Sequence, residues 1–110
     1  MNKKGQFYER LALDYLKSKK YKIIATNFIS RFGEIDIIAY RDDCLVVVEV
    51  KGGSFPFERI NYHKIESITK TLDIFLQKHE LKFRSIRIDA IFVSKEVDKF
   101  SINHVENITL

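Results

Sequence analysis

The chain has little of what small proteins use to hold themselves together without a large core. One of its 110 residues is cysteine, Cys44, so no internal disulfide can form and a reducing compartment is the simpler setting. There are only one proline and four glycines, and three of those five residues fall in one stretch, GGSFP at 52–56, the strongest break in the sequence. No apolar stretch approaches the ~20 residues of a membrane span. The longest, CLVVV, has the length of a strand. The N-terminal stretch MNKKGQFYERL holds no apolar run of signal-peptide length, so the sequence predicts a soluble, cytoplasmic protein. Histidine and cysteine spacings match no zinc site, and there is no glycine-rich phosphate loop, internal repeat or low-complexity segment.

What the chain does have is a 45% hydrophobic composition, enough for one core and a single domain over residues 1–110. It also carries a net charge of +4 and a pI near 9.2. That excess favours a polyanionic partner, although many proteins this basic bind no nucleic acid.

The first periodic segment is QFYERLALDYLKSKK, where Phe7, Tyr8, Leu11, Ala12, Tyr15 and Leu16 form one apolar helical face. Glu9 lies at the margin of that face, and lysines close the helix where its dipole favours cations. Strands are predicted over about 21–29, 34–40 and 44–51, the last two joined by the polar turn RDD as an antiparallel hairpin. The run LVVVEV reads as a central strand covered on both faces. A second helix over about 60–79 buries Ile65, Ile68, Leu72, Phe75 and Leu76, followed by a strand at 84–94. The tail SINHVENITL offers a last short strand. The order α-β-β-β-α-β, with that optional final β, predicts an α/β fold in which a mixed sheet is flanked by helices.

Charges interrupt the most strand-like segment, GEIDIIAYRDDCLVVVEVK, at Glu34, Asp36, Glu49 and Lys51. Strand alternation sends Glu49 and Lys51 to one face, and places Asp36 on the same side of its own strand as Glu34 and Ile38. A hairpin register that sets Asp36 beside Glu49 brings two carboxylates together, which is costly unless a cation compensates. Mg²⁺ is held by such pairs together with substrate phosphate. An ammonium beside that ion can orient water or offset charge on a phosphate. The bland alternatives stand beside this reading. Glu-x-Lys is common in solvated edge strands, and Asp36 or Glu34 could pair with Arg31.

The ordered pieces together resemble a known family. Glu9 on the first helix, then Asp36, then Glu49-Val50-Lys51, is similar to the PD-(D/E)xK nuclease superfamily of restriction-endonuclease-like fold, and within it to archaeal-type Holliday-junction resolvases. The small YraN family is a closer resemblance, carried by GQFYERLALDYL, GEIDIIA, LVVVEVK, KIESITKTLDIFL, RIDAIFV and HVENIT over about residues 5–110. The resemblance implies that Asp36 and Glu49 ligate Mg²⁺ or Mn²⁺ with the backbone carbonyl of Val50. It makes Lys51 the catalytic lysine and Glu9 the helix acid that reaches the metal, although a glutamate here could equally satisfy the helix dipole. Lys64, opening the second helix, would contact phosphate or stand solvated at its edge. Where the family carries Ser or Thr and then Arg after Glu-x-Lys, this chain has Gly52-Gly53. Arg59 is the nearest replacement cation. The glycines suggest a mobile loop, with Phe55 and Phe57 available to anchor it or to stack on bases.

The expected function is therefore metal-dependent hydrolysis of phosphodiester bonds in nucleic acid, DNA before RNA, with branched DNA implied only by the resolvase analogy. Lys64, Arg59 and Arg31 are the expected nucleic-acid contacts, no membrane partner is implied, and oligomeric state, homodimer included, is left open. A non-catalytic nucleic-acid-binding module is one rival. An interaction protein whose carboxylates merely pair with Lys51 and Arg31 is the other. Arg87 and Asp89 share a strand face and read as a structural ion pair. His63, His79 and His104 read as surface or cap residues, and Cys44 as a small buried apolar residue.

Overall fold

The computed structural model describes residues 3–53 and 62–108. Helix α1 (Lys3–Ser18) is followed by β1 (Lys22–Ser30), β2 (Gly33–Arg41), β3 (Cys44–Gly53), α2 (Tyr62–Lys78), β4 (Ser85–Lys95) and β5 (Phe100–Val105). This is the predicted order with the closing strand present. The α1 helix ends where Lys20 turns left-handed at φ 71° and the Tyr21 N–H reaches back to Leu16 O at 3.0 Å.

The strands form one five-stranded sheet in the order β1-β2-β3-β4-β5. Asp42 and Asp43 both take positive φ, 52° and 61°, as a two-residue hairpin turn demands, and close β2 onto β3 at the Arg41–Cys44 pair. From β3 the chain crosses through α2 and returns as β4, parallel to β3, while β5 runs antiparallel on β4. The strand read as central is central: Val46 and Val48 face α1, Leu45 and Val47 face α2, and all four are fully buried. Ala12 and Leu16 of α1 pack with Ile37, Ala39, Ile91 and Val93 on one face. Ile68, Leu72 and Phe75 of α2 pack with Ile35, Ile38 and Ile88 on the other. Cys44 is half-buried at the start of β3. Among the described residues no helix is long and apolar enough to cross a membrane.

Two expectations need correction. Gly52 and Gly53 do not open a loop. They continue β3, paired with Val93 and Ser94 of β4. A Cβ at Gly52 would come within 2.2 Å of the Tyr8 ring, so this position is glycine to admit an aromatic side chain from α1. Phe55, Phe57 and Arg59 lie outside the described residues.

His104 is also not a surface residue. Its Nε2 donates to Asp89 Oδ2 at 2.7 Å and its Nδ1 lies 2.9 Å from Tyr15 Oη. Asp89, fully buried, accepts in addition two hydrogen bonds from Arg87, at 2.8 and 2.9 Å, and one from the Asn107 N–H at 3.0 Å. The expected Arg87–Asp89 pair is thus the centre of a clasp tying β5 and the tail to β4 and α1. The hydrogen bonds from His104, Arg87 and Asn107 outweigh burial and hold the Asp89 carboxyl below its ordinary range. Asp89→Ala removes the anion and leaves Arg87 without its main partner. We expect a loss of about 3–5 kcal/mol in urea unfolding. A loss under about 1 kcal/mol, the worth of an exposed pair, would contradict the clasp.

Candidate functional site

Antiparallel pairing between β2 and β3 runs from Arg41–Cys44 to Ile37–Val48. One further step would set Asp36 opposite Glu49, and there the ladder opens. Asp36 Oδ2 accepts the Val50 N–H at 2.9 Å, a side chain standing in for the strand's carbonyl. Beyond this point β3 is paired to β4 alone, through Glu49–Ala90, Val50–Ile91 and Lys51–Phe92. The opening leaves a carboxylate-lined notch at the end of the central strand.

The side-chain alternation of β2 also slips here. Ile35 and Ile38, three residues apart, both pack under α2, while Ile37 faces α1. Glu34 consequently does not share a face with Ile38. It turns to the α1 side, where Asn27 Nδ2 donates both to Glu34 Oε1 at 3.0 Å and to Glu9 Oε2 at 3.1 Å. Asn27 lies between the residues of β1 that pair with Ile37 and Ile35, in the left-handed conformation at φ 52° that asparagine tolerates better than most residues. Reading the sequence passed over Asn27. The available signal was an asparagine inside KIIATNFIS, a strand interior that usually excludes it.

Glu49 is 2% exposed. Its Oε2 lies 3.2 Å from Lys64 Nζ, whereas its Oε1 is buried with no hydrogen-bond partner among the described residues. Burial, and after it the neighbouring Asp36 charge, push the Glu49 carboxyl up to about 7 against the pull of Lys64. Burial likewise raises Asp36, partly offset by the Val50 N–H, and raises Glu9, partly offset by Asn27. Glu49 and Glu9 thus both feel the charge of Asp36, and each of the three carboxyls is in surroundings that disfavour its negative charge. Such surroundings call for a cation.

Lys51, half-buried, follows Glu49 by two positions on the same strand face, and its positive charge acts on Asp36. Lys64 does not stand solvated; it holds Glu49. Arg31 pairs with neither Asp36 nor Glu34 among the described residues; its guanidinium lies 4.8 Å from the centre of the Phe32 ring. Between α1 and the β1–β2 hairpin runs a groove of about 910 Å³ with Glu9, Asn27 and Glu34 along it, walled by Phe7, Leu13 and Ile29.

Among the described residues no three His, Cys, Asp or Glu side chains form a ready metal shell. Mg²⁺ needs only one or two carboxylates when waters and phosphate complete its octahedron. The buried Oε1 of Glu49, with no partner among the described residues and Asp36 beside it, fits that requirement.

Sequence comparison places these residues within a family. Residues 8–93 match the model of the uncharacterised protein family UPF0102. The chain is similar to UPF0102 proteins of Persephonella marina, 38% identical over 94% of this chain and 90% of that one, and of Petrotoga mobilis, 42% identical over 87% and 90%. It is likewise similar to the UPF0102 protein of Alkaliphilus oremlandii, 42% identical over 97% of this chain and 98% of its relative. This is the family that the sequence resembled under the name YraN, and the chain belongs to it.

Proposed function

We propose that this chain is a metal-dependent nuclease of the PD-(D/E)xK superfamily that hydrolyses phosphodiester bonds in DNA. The observation that carries the reading is Glu49: a carboxylate on the central strand, buried, with one oxygen that has no partner among the described residues, beside Asp36 and two residues before Lys51.

In this reading Asp36, Glu49 and the Val50 carbonyl hold Mg²⁺ or Mn²⁺, with Glu9 reaching it directly or through water. The ion supplies a more acidic bound water and neutralises charge on the phosphate. Asp36, tied by Oδ2 to the backbone of β3, is fixed in orientation before any ligand arrives. Lys51 projects beside the carboxylates, where its ammonium orients the attacking water or offsets charge growing on the phosphate. Lys64 stands on Glu49 as counter-cation and is placed to turn to a phosphate when another cation takes Glu49. The buried wall under these groups, from Ile35, Ile38 and Val47, lowers the local dielectric and strengthens each interaction.

Binding without metal should be electrostatic. Lys51, Arg31 and Lys70 at the carboxylate end of the sheet imply roughly two to four phosphates neutralised, so log K on duplex should fall with log salt at about −0.9 per phosphate. Affinity that does not change with salt, measured by fluorescence anisotropy, would contradict a phosphate contact.

The function itself is tested by incubating purified protein with Mn²⁺ and single-stranded, duplex, flapped and four-way DNAs. Cleavage of at least one, abolished by chelator and by Glu49→Gln, is expected. No cutting of any, under conditions where the protein binds them, would favour a binding module on the same fold.

A further inference from the structure

The turn between β1 and β2 is Arg31-Phe32, and it holds an aromatic ring in an unusual setting. Phe32 is 38% exposed, yet its backbone is pinned. Its carbonyl accepts from Ser67 Oγ at 2.5 Å and its N–H donates to Ser30 Oγ at 3.0 Å. Ser30 Oγ in turn shares a 2.8 Å hydrogen bond with the fully buried Thr71 Oγ1. The turn is therefore docked on two successive turns of α2, and the exposed ring is held there by a fixed backbone.

Two cations attend the ring. The Arg31 guanidinium lies 4.8 Å from its centre, and the Lys70 ammonium, which also pairs with Glu66 at 3.0 Å, lies 5.3 Å away. Ser67, which grips the turn, is one helical turn beyond Lys64, and Lys64 holds Glu49. Three to seven residues of helix separate Lys64 from the groups that hold Phe32, a rise of ~5–10 Å. Asp36 follows Phe32 by four residues on the adjoining strand. The ring and its cations thus stand at the carboxylate end of the sheet, on the α2 side. The groove on the α1 side carries Glu9, Glu34 and Arg10.

Cations and aromatic rings on one surface are the parts with which proteins hold single strands: the ring stacks on a base and the cations take the flanking phosphates. Bases inside continuous duplex are already stacked and present no free face to such a ring. Resting on the nuclease reading, we infer that Phe32, flanked by Arg31 and Lys70, is a stacking platform for an unpaired base next to the scissile phosphate. The substrate is then nucleic acid that is single-stranded or opened on that side. Arg31 and Lys70 exchange their contacts with the ring for phosphates when it binds.

The chain contains no tryptophan, so Phe32→Trp creates a single fluorescent reporter at the platform. With chelator present, a short oligothymidylate should quench its emission, and a blunt duplex of equal length should not. Phe32→Ala should weaken oligothymidylate binding by ~10-fold while leaving the duplex nearly unchanged. Arg31→Ala and Lys70→Ala, which keep the ring, should weaken both DNAs and steepen no preference. Circular dichroism matching the parent establishes that the variants fold. Unchanged tryptophan emission at saturating oligothymidylate would overturn the platform alone, as would equal losses on both DNAs in Phe32→Ala. If the parent binds neither DNA at low salt, the nucleic-acid reading falls and the platform with it.

Discussion

Lys51→Ala should cut any DNA that the parent cleaves at least about 100-fold more slowly while still binding it. The substitution removes an ammonium and leaves both carboxylates in place. The geometry of the notch does not depend on it, because Asp36 is fixed by the Val50 N–H and Glu49 by its place between β4 and α2. Metal affinity should therefore persist, or rise slightly as a nearby positive charge is lost. DNA binding should weaken only by the worth of one phosphate contact. Lys51→Met keeps most of the stem and should be as slow as alanine, because charge is what matters. Single-turnover rates with saturating protein separate the two effects. A Lys51→Ala protein as fast as the parent would make Lys51 a solvated strand residue and the motif non-catalytic.

Glu49→Gln should make the metal-free protein more stable at pH 8 and flatten the dependence of its stability on pH. The sign follows from the direction of the shift. The Glu49 carboxyl, ordinarily at 4.5, is pushed up to about 7 by burial and by Asp36. Between those values the folded chain keeps a proton that the unfolded chain has released, so stability falls as pH rises through that window. The cost is absent below about 4.5 and complete above about 7. From a shift of this size it is about 3 kcal/mol at pH 8. Asp36 and Glu9 are raised as well and act in the same direction. Asp89 is lowered; its stabilisation is present above the ordinary carboxylate range and is lost in acid. Glutamine removes the Glu49 contribution and releases Lys64, which is 38% exposed and can turn to water. Urea unfolding at pH 5 and pH 8 measures the difference. Parallel curves for parent and variant would show that Glu49 carries no unfavourable charge and needs no ion.

Much of this arrangement could be read from the chain, for identifiable reasons. LVVVEV announced a strand buried on both faces because only a central strand tolerates apolar residues at successive positions. The polar tract RDD announced the hairpin, but only the structure shows the two-residue turn at Asp42-Asp43 whose register sets Asp36 at the level of Glu49. Simple alternation failed at Asp36, because a side chain replaced a backbone partner and the strand slipped. Glu34 was therefore assigned to the wrong face, and its link through Asn27 to Glu9 was missed. His104 was misread because the partners that bury it, Asp89 and Tyr15, are 15 and 89 residues away in sequence. Gly52 looked like a break because glycine usually marks one. Here it makes room for Tyr8, a contact between α1 and the end of β3 that no local pattern reveals. Phe32 was passed over for the same kind of reason: its exposure follows from how Ser67 and Thr71 dock the turn.

The central claim is that Asp36 and Glu49 form one cation site, and calorimetric titration with Mn²⁺ at pH 7.5 tests it most directly. The parent should bind the ion and release protons as it does so, because Glu49 is partly protonated near its raised value. The double variant Asp36→Asn, Glu49→Gln should be folded, no less stable than the parent at that pH, and without Mn²⁺ heat. Unchanged Mn²⁺ binding in the double variant, or none in the parent, would contradict the account.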